Sequence, residues 1–201
     1  MRSSSLRPVA GLFAGLVLSA LVAAPAVAQV PDPGTSSFAL SPSACGAHYV
    51  FTPVMGTMIV SGTLRDVDGV AVGGHPLSVE IRVLSHTLAP CGFGSHSKSA
   101  VSHNDGSFSI VFDWRDMAGY GDFDVEVVIN GIPYALFAGH RSTSPDLDAS
   151  GQVGVIDVGI LASGLPPVPG APPAWYIDYN CDGRFDVLDF AIFAQGIGVI
   201  C

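Results

Sequence analysis

Leu77-Ser78-Val79-Glu80-Ile81-Arg82-Val83 alternates apolar and polar residues at every step. A period of two puts Leu77, Val79, Ile81 and Val83 on one side of an extended strand and Ser78, Glu80 and Arg82 on the other. Phe108, Ile110 and Phe112 alternate in the same way with Ser107, Ser109 and Val111, as do Phe123, Val125, Val127 and Ile129 with Asp124 and Glu126. Turn residues part these runs. Asn130-Gly131 lies between 123–129 and 132–138, where it favours the type I′ turn that matches strand twist. Asp105-Gly106 parts 100–103 from 107–114, and Asp68-Gly69 follows the run 57–64. Short strands with regular turn signals predict an all-β sandwich, and the segment 29–143 is long enough for one such core.

Residues 1–28 read differently. Arg2 and Arg7 precede an apolar stretch over 9–22, and Ala26-Val27-Ala28 supplies small residues for cleavage. This is the pattern of a signal peptide cut after Ala28, so the mature protein is expected outside the cell with no membrane insertion. The apolar run is shorter than the roughly 20 residues a spanning helix needs, and Pro25 ends it. Removing Arg2 and Arg7 lowers the formal net charge of −9 by two, to −11. A surface this acidic argues against nucleic acid and anionic membranes. Of the 17 acids only Glu80 and Glu126 are Glu; Asp, a turn and ligand residue, supplies the rest.

The four cysteines, Cys45, Cys91, Cys181 and Cys201, allow three disulfide pairings. Keeping each bridge within one segment favours Cys45–Cys91 and Cys181–Cys201. A zinc site is the weaker reading, since neither a C-x-x-C nor an H-x₃-H spacing occurs.

After Ser142-Thr143-Ser144-Pro145 the pattern changes. Asp146-Leu-Asp148-Ala-Ser150-Gly151-Gln152-Val153-Gly154-Val155-Ile156-Asp157 matches Asp178-Tyr-Asn180-Cys-Asp182-Gly183-Arg184-Phe185-Asp186-Val187-Leu188-Asp189 position by position. The two units start at 146 and 178, 32 residues apart. Both carry oxygen-bearing side chains at positions 1, 3, 5 and 12, glycine at 6 and an apolar residue at 8. Ca²⁺ takes six to eight oxygens at about 2.3–2.6 Å, which requires a tight wrap of backbone. Asp146, Asp148, Ser150 and Asp157 are the expected side-chain ligands of the first loop. Asp178, Asn180, Asp182 and Asp189 are those of the second. Gln152 and Arg184 contribute position-7 carbonyls, and Asp186 acts through water. Three carboxylates in the first loop against four in the second predict tighter binding at the second. Val153 and Phe185 are expected to face each other across a short backbone pairing.

Helical spacing follows each loop, with Val158, Leu161 and Leu165 in one copy and Phe190, Phe193 and Ile197 in the other. Each unit is therefore loop plus exiting helix, joined by a Pro-rich spacer over 166–173. A tail with two glycines, Gly196 and Gly198, allows Cys201 to return toward Cys181.

Two such half-hands over 144–201 resemble a dockerin of type I, the module that docks onto cohesin domains in cellulosome-like assemblies. The resemblance implies a small C-terminal α-helical domain holding two Ca²⁺. It implies a cohesin-type partner contacted through Val155, Ile156, Val187 and Leu188. The pattern Ser61-Gly-Thr-Leu-Arg-Asp-Val-Asp-Gly69 with 76–81 resembles bacterial immunoglobulin-like modules and implies a fold, not a function. The expected architecture is thus multidomain: an immunoglobulin-like sandwich over 29–143, then a dockerin over 144–201.

The chemistry of other residues is weaker evidence. His48, His75, His86, His96, His103 and His140 are scattered, and Ser95, His96, Ser97 and Lys98 read as a polar loop rather than a nucleophile cluster. Trp114, Tyr120 and Phe123 suit a sugar ring but more simply form core and rim of a sandwich. The expectation is a non-catalytic, calcium-ordered interaction protein. Its alternatives are a calcium-stabilised structural module without a partner and a small polysaccharide hydrolase bearing a dockerin.

Overall fold

A computed structural model describes residues 29–43, 45–53, 56–85, 87–89, 96–168 and 171–200. The expected signal segment 1–28, His86, Cys91, Ser95 and Cys201 lie outside the described residues.

Among the described residues, nine strands precede the first helix. They are β1 (Ser37–Leu40), β2 (His48–Val50), β3 (Met58–Thr63), β4 (Pro76–Val83), β5 (Leu88–Ala89), β6 (Ser97–Val101), β7 (Ser107–Phe112), β8 (Ala118–Ile129) and β9 (Ile132–Thr143). One sheet has the order β1-β3-β7, all antiparallel. The other runs β2-β9-β8-β4-β6, with β5 added to β8 and β2 parallel to β9.

The alternation in sequence becomes burial. Leu77, Val79 and Ile81 of β4, Phe108, Ile110 and Phe112 of β7, and Phe123, Val125, Val127 and Ile129 of β8 all enter one core. Met58 and Val60 of β3, beside β7 in the three-stranded sheet, join them. Asn130 and Gly131 both take the left-handed backbone, at φ 54° and 76°, as a type I′ hairpin between β8 and β9 requires. Lower in the same hairpin Phe123 pairs with His140 but Val125 with Phe137. The extra residue bulges at Gly139, whose φ is 79° and whose amide donates to Asp124 Oδ1 at 3.0 Å.

The C-terminal part corrects the expected architecture. The protein is a mostly-β single-domain fold with a curled sheet, and among the described residues no separate helical dockerin domain stands beside it. Helices α1 (Val155–Ser163) and α2 (Val187–Ala194) have nine and eight residues, with a short 3₁₀ turn, Trp175–Ile177, between them. Each buries one apolar side chain, Leu161 or Phe193, beside its position-12 carboxylate. Two apolar side chains cannot enclose a core. They pack instead with Leu147, Val153, Ile177 and Tyr179 against Val50 of β2 and Tyr120 of β8. The expected boundary between the segments is equally part of the body: Ser142, Thr143 and Ser144 are buried, and Gly119 N donates to Asp146 O at 2.6 Å.

Three local expectations also change. Val158, Leu165, Phe190 and Ile197 do not join the buried helical faces; all four are exposed. Val153 is not paired with Phe185; its carbonyl accepts from Gly198 N at 3.4 Å, and Gln152 bridges Ile200. The tail does fold back, but onto the first loop. Finally, Cys45 is joined to Cys181, with Cα atoms 5.6 Å apart and 136 residues between them in sequence, so neither expected pairing forms. The segment preference failed because both segments share one body.

Candidate metal centre

Both acidic loops leave the body at buried points and return to it through a helix. In the first, Asp146 Oδ1 accepts from Ser150 N at 3.0 Å and Oδ2 from Gly151 N at 2.8 Å. In the second, Asp178 Oδ1 accepts from Asp182 N at 3.1 Å and Oδ2 from Gly183 N at 2.9 Å. Position 12 repeats the correspondence. Asp157 takes Asp148 N at 3.0 Å and Gly154 N at 2.6 Å; Asp189 takes Asn180 N at 3.1 Å and Asp186 N at 3.0 Å. One residue pattern has produced one wrap of backbone twice.

Glycine at position 6 is required by that wrap. Gly151 and Gly183 stand at φ 89° and 80°, where a side chain is disfavoured. Position 4 takes the left-handed region too, at φ 55° for Ala149 and 61° for Cys181. Nothing in residue type announces this, since neither is Gly or Asn.

The remaining expected ligands divide. Asp148 Oδ1 accepts from Ser150 N at 2.9 Å, and one oxygen each of Asp146, Asp148 and Asp157 lies within 4.8 Å of the others. The Ser150 hydroxyl donates to Gln152 O at 3.1 Å, which joins positions 5 and 7. In the second loop Asn180 Nδ2 donates to Asp182 Oδ2 at 3.2 Å, and Arg184 N donates to Asp182 Oδ1 at 2.8 Å. Asp186 caps α2 by accepting from Leu188 N at 2.7 Å. Among the described residues, no set of three carboxylates is gathered in the second loop as tightly as in the first.

In the first loop Asp146 and Asp157 are both buried. Burial pushes the Asp146 carboxyl up to about 6, against the Gly151 amide and with the help of Asp148. Burial likewise raises Asp189, with the Asp178 charge adding to it, while the Asp186 and Asn180 amides oppose. A divalent cation would relieve both costs, and the oxygen-only donor set suits a hard ion such as Ca²⁺.

No protein-family model matches the chain, and no curated protein matches it.

The expected partner-facing residues are the most open apolar side chains of the two helices. Val155 is 85% exposed, Ile156 61%, Val187 76% and Leu188 57%. The aromatic trio does not form a platform: Phe123 is buried in the β core, whereas Tyr120 stacks on Tyr176 with ring centres 4.2 Å apart. Lys98 is bound to Asp116 at 2.6 Å and to Val111 O, which leaves the imagined His96 cluster without its lysine.

Sequence reasoning missed a second group. Cys45, His48 and Cys181 each place a potential donor atom within 4.8 Å of the others. His48 follows Cys45 by three residues, a C-x-x-H spacing that becomes visible as a group only once Cys181 arrives from the second acidic loop. His48 sits against the edge of Trp175, with ring centres 5.2 Å apart. Burial, then the charge of Arg141, lowers its pKa to about 4.

Proposed function

We propose that this is an exported, non-catalytic interaction protein whose two C-terminal loops each bind one Ca²⁺. The exposed aliphatic residues opening α1 and α2, Val155, Ile156, Val187 and Leu188, then dock onto a protein partner of the cohesin kind. The observation that carries this reading is the repeated network. Position-1 and position-12 carboxylates meet equivalent amides in both loops, and three of these four acids are buried. Ordinary Asp-Gly turns have no reason to bury acids in duplicate. The exposed aliphatics sit on the first turn of each helix, at loop positions 10 and 11 just before the position-12 carboxylate, so an ion that orders the loop also orders them.

A second reading is favoured by the shared core. Because Tyr179, Phe193 and Leu161 pack on β2 and β8, Ca²⁺ would also staple the C-terminal segment to the body. In that reading the ion serves stability with no partner.

Calorimetric titration of the full chain with Ca²⁺ tests the ligand assignment. The expected stoichiometry is two, falling to one in Asp157→Asn and in Asp189→Asn. Absence of binding at millimolar Ca²⁺, or binding untouched by both substitutions, would overturn it. Capture of a cohesin domain by the calcium-loaded protein, lost when Val187 and Leu188 become Ser, separates the first reading from the second.

A further inference from the structure

The Cys45–Cys181 bridge lies beside a histidine that the fold otherwise leaves without a task. His48 Nδ1 is 3.6 Å from Cys181 Sγ, and His48 Nε2 is buried with no hydrogen-bond partner among the described residues. Zinc bonds of about 2.3 Å to sulfur and about 2.0–2.1 Å to nitrogen, opened to a tetrahedral angle, separate the two donors by about 3.6 Å. The imidazole and Cys181 sulfur therefore already stand at ligand-to-ligand distance. A cavity of about 210 Å³ adjoins them, lined by Ser43, Cys45, His48, Tyr179 and Asn180 among others. It leaves room for a water at a fourth position.

We infer that Cys45, His48 and Cys181 form a soft-metal site masked by their own disulfide, which takes a Zn²⁺ ion once a dithiol reduces the bridge. The dithiol is oxidised to its own disulfide, and its two electrons and two protons pass to the Cys45 and Cys181 sulfurs. Zn²⁺ then displaces both thiol protons to solvent and accepts two thiolates and one imidazole nitrogen. Two thiolates neutralise the ion, so a half-buried site carries no net charge from it. Only the sulfurs must move, from a bonded pair to about 3.8 Å apart, and side-chain rotation at Cys45 and Cys181 supplies a change of this size. Thiolate and imidazole donors prefer Zn²⁺ to Ca²⁺, so this site and the acidic loops select different ions.

The test uses the full chain carrying Cys91→Ser and Cys201→Ser, so that only the two thiols in question form. Zn²⁺ is titrated against a chromophoric chelator in saturating Ca²⁺, before and after reduction by a trialkylphosphine. One Zn²⁺ per chain is expected after reduction and none before. His48→Ala should weaken uptake about tenfold or more, and Cys45→Ser with Cys181→Ser should abolish it with the near-ultraviolet dichroism retained. Co²⁺ in place of Zn²⁺ should develop sulfur-to-metal charge-transfer absorption. Equal uptake by the oxidised and reduced chains, or a His48→Ala affinity unchanged from the parent, overturns the inference. So does a reduced chain whose dichroism is lost and not restored by Zn²⁺.

Discussion

The β-body and the twin-loop segment reach burial by different routes. In β8 every second residue from Phe123 to Ile129 is fully enclosed, and facing strands supply the partners. In α1 and α2 the buried stripe is one acid followed four residues later by one apolar side chain, Asp157 with Leu161 and Asp189 with Phe193. The first arrangement is complete in apolar contacts. The second stays folded by borrowing apolar surface from β2 and β8 and by placing carboxylates where backbone amides converge. A repeated motif can thus carry recognisable chemistry without being a separate folding unit.

The sharpest way to break this comparison is to cut each core once. Phe193→Ala and Phe123→Ala should each lower stability by about 3–5 kcal/mol, and both should do so in a single unfolding transition. Chemical denaturation followed by tryptophan fluorescence and far-ultraviolet dichroism measures it. A separate early transition confined to Phe193→Ala would mean that the loop segment unfolds independently and that the shared core contributes little.

A smaller effect compares the loops with each other. Gly151→Ala and Gly183→Ala add a methyl group that meets nothing within 4 Å, so only the left-handed backbone resists. Each should cost about 1–2 kcal/mol, similarly in both loops, as read from thermal unfolding in chelator. A cost confined to one loop would show that the two wraps are not equivalent.

The smallest expected effect concerns the surface. Val187→Ser with Leu188→Ser should change stability by no more than about 0.5 kcal/mol per site, because both side chains are exposed. A drop of several kcal/mol would mean that these residues are covered, against their assignment to a docking face.

Much of the site was legible because its chemistry is local. Ligand positions 1, 3, 5, 7 and 12 lie within twelve residues, and a single glycine at position 6 decides whether the wrap closes. The left-handed position 4 was not legible, since Ala149 and Cys181 have no residue-type reason to adopt it. The apolar spacing of Val158 and Phe190 misled for a different cause: helices of eight or nine residues have too few turns to bury a whole stripe against a sheet.

Residue order alone was enough for the strand periodicity, the Asn130-Gly131 hairpin and the duplicated acidic wrap, because each depends on neighbours a few bonds away. Three-dimensional packing had to settle whether 144–201 stands apart, which cysteine meets Cys45, and that His48 lies beside both sulfurs. These pairings depend on contacts between residues far apart in sequence, 136 positions for Cys45 and Cys181, and period or spacing carries no information about which distant surfaces will exclude water together.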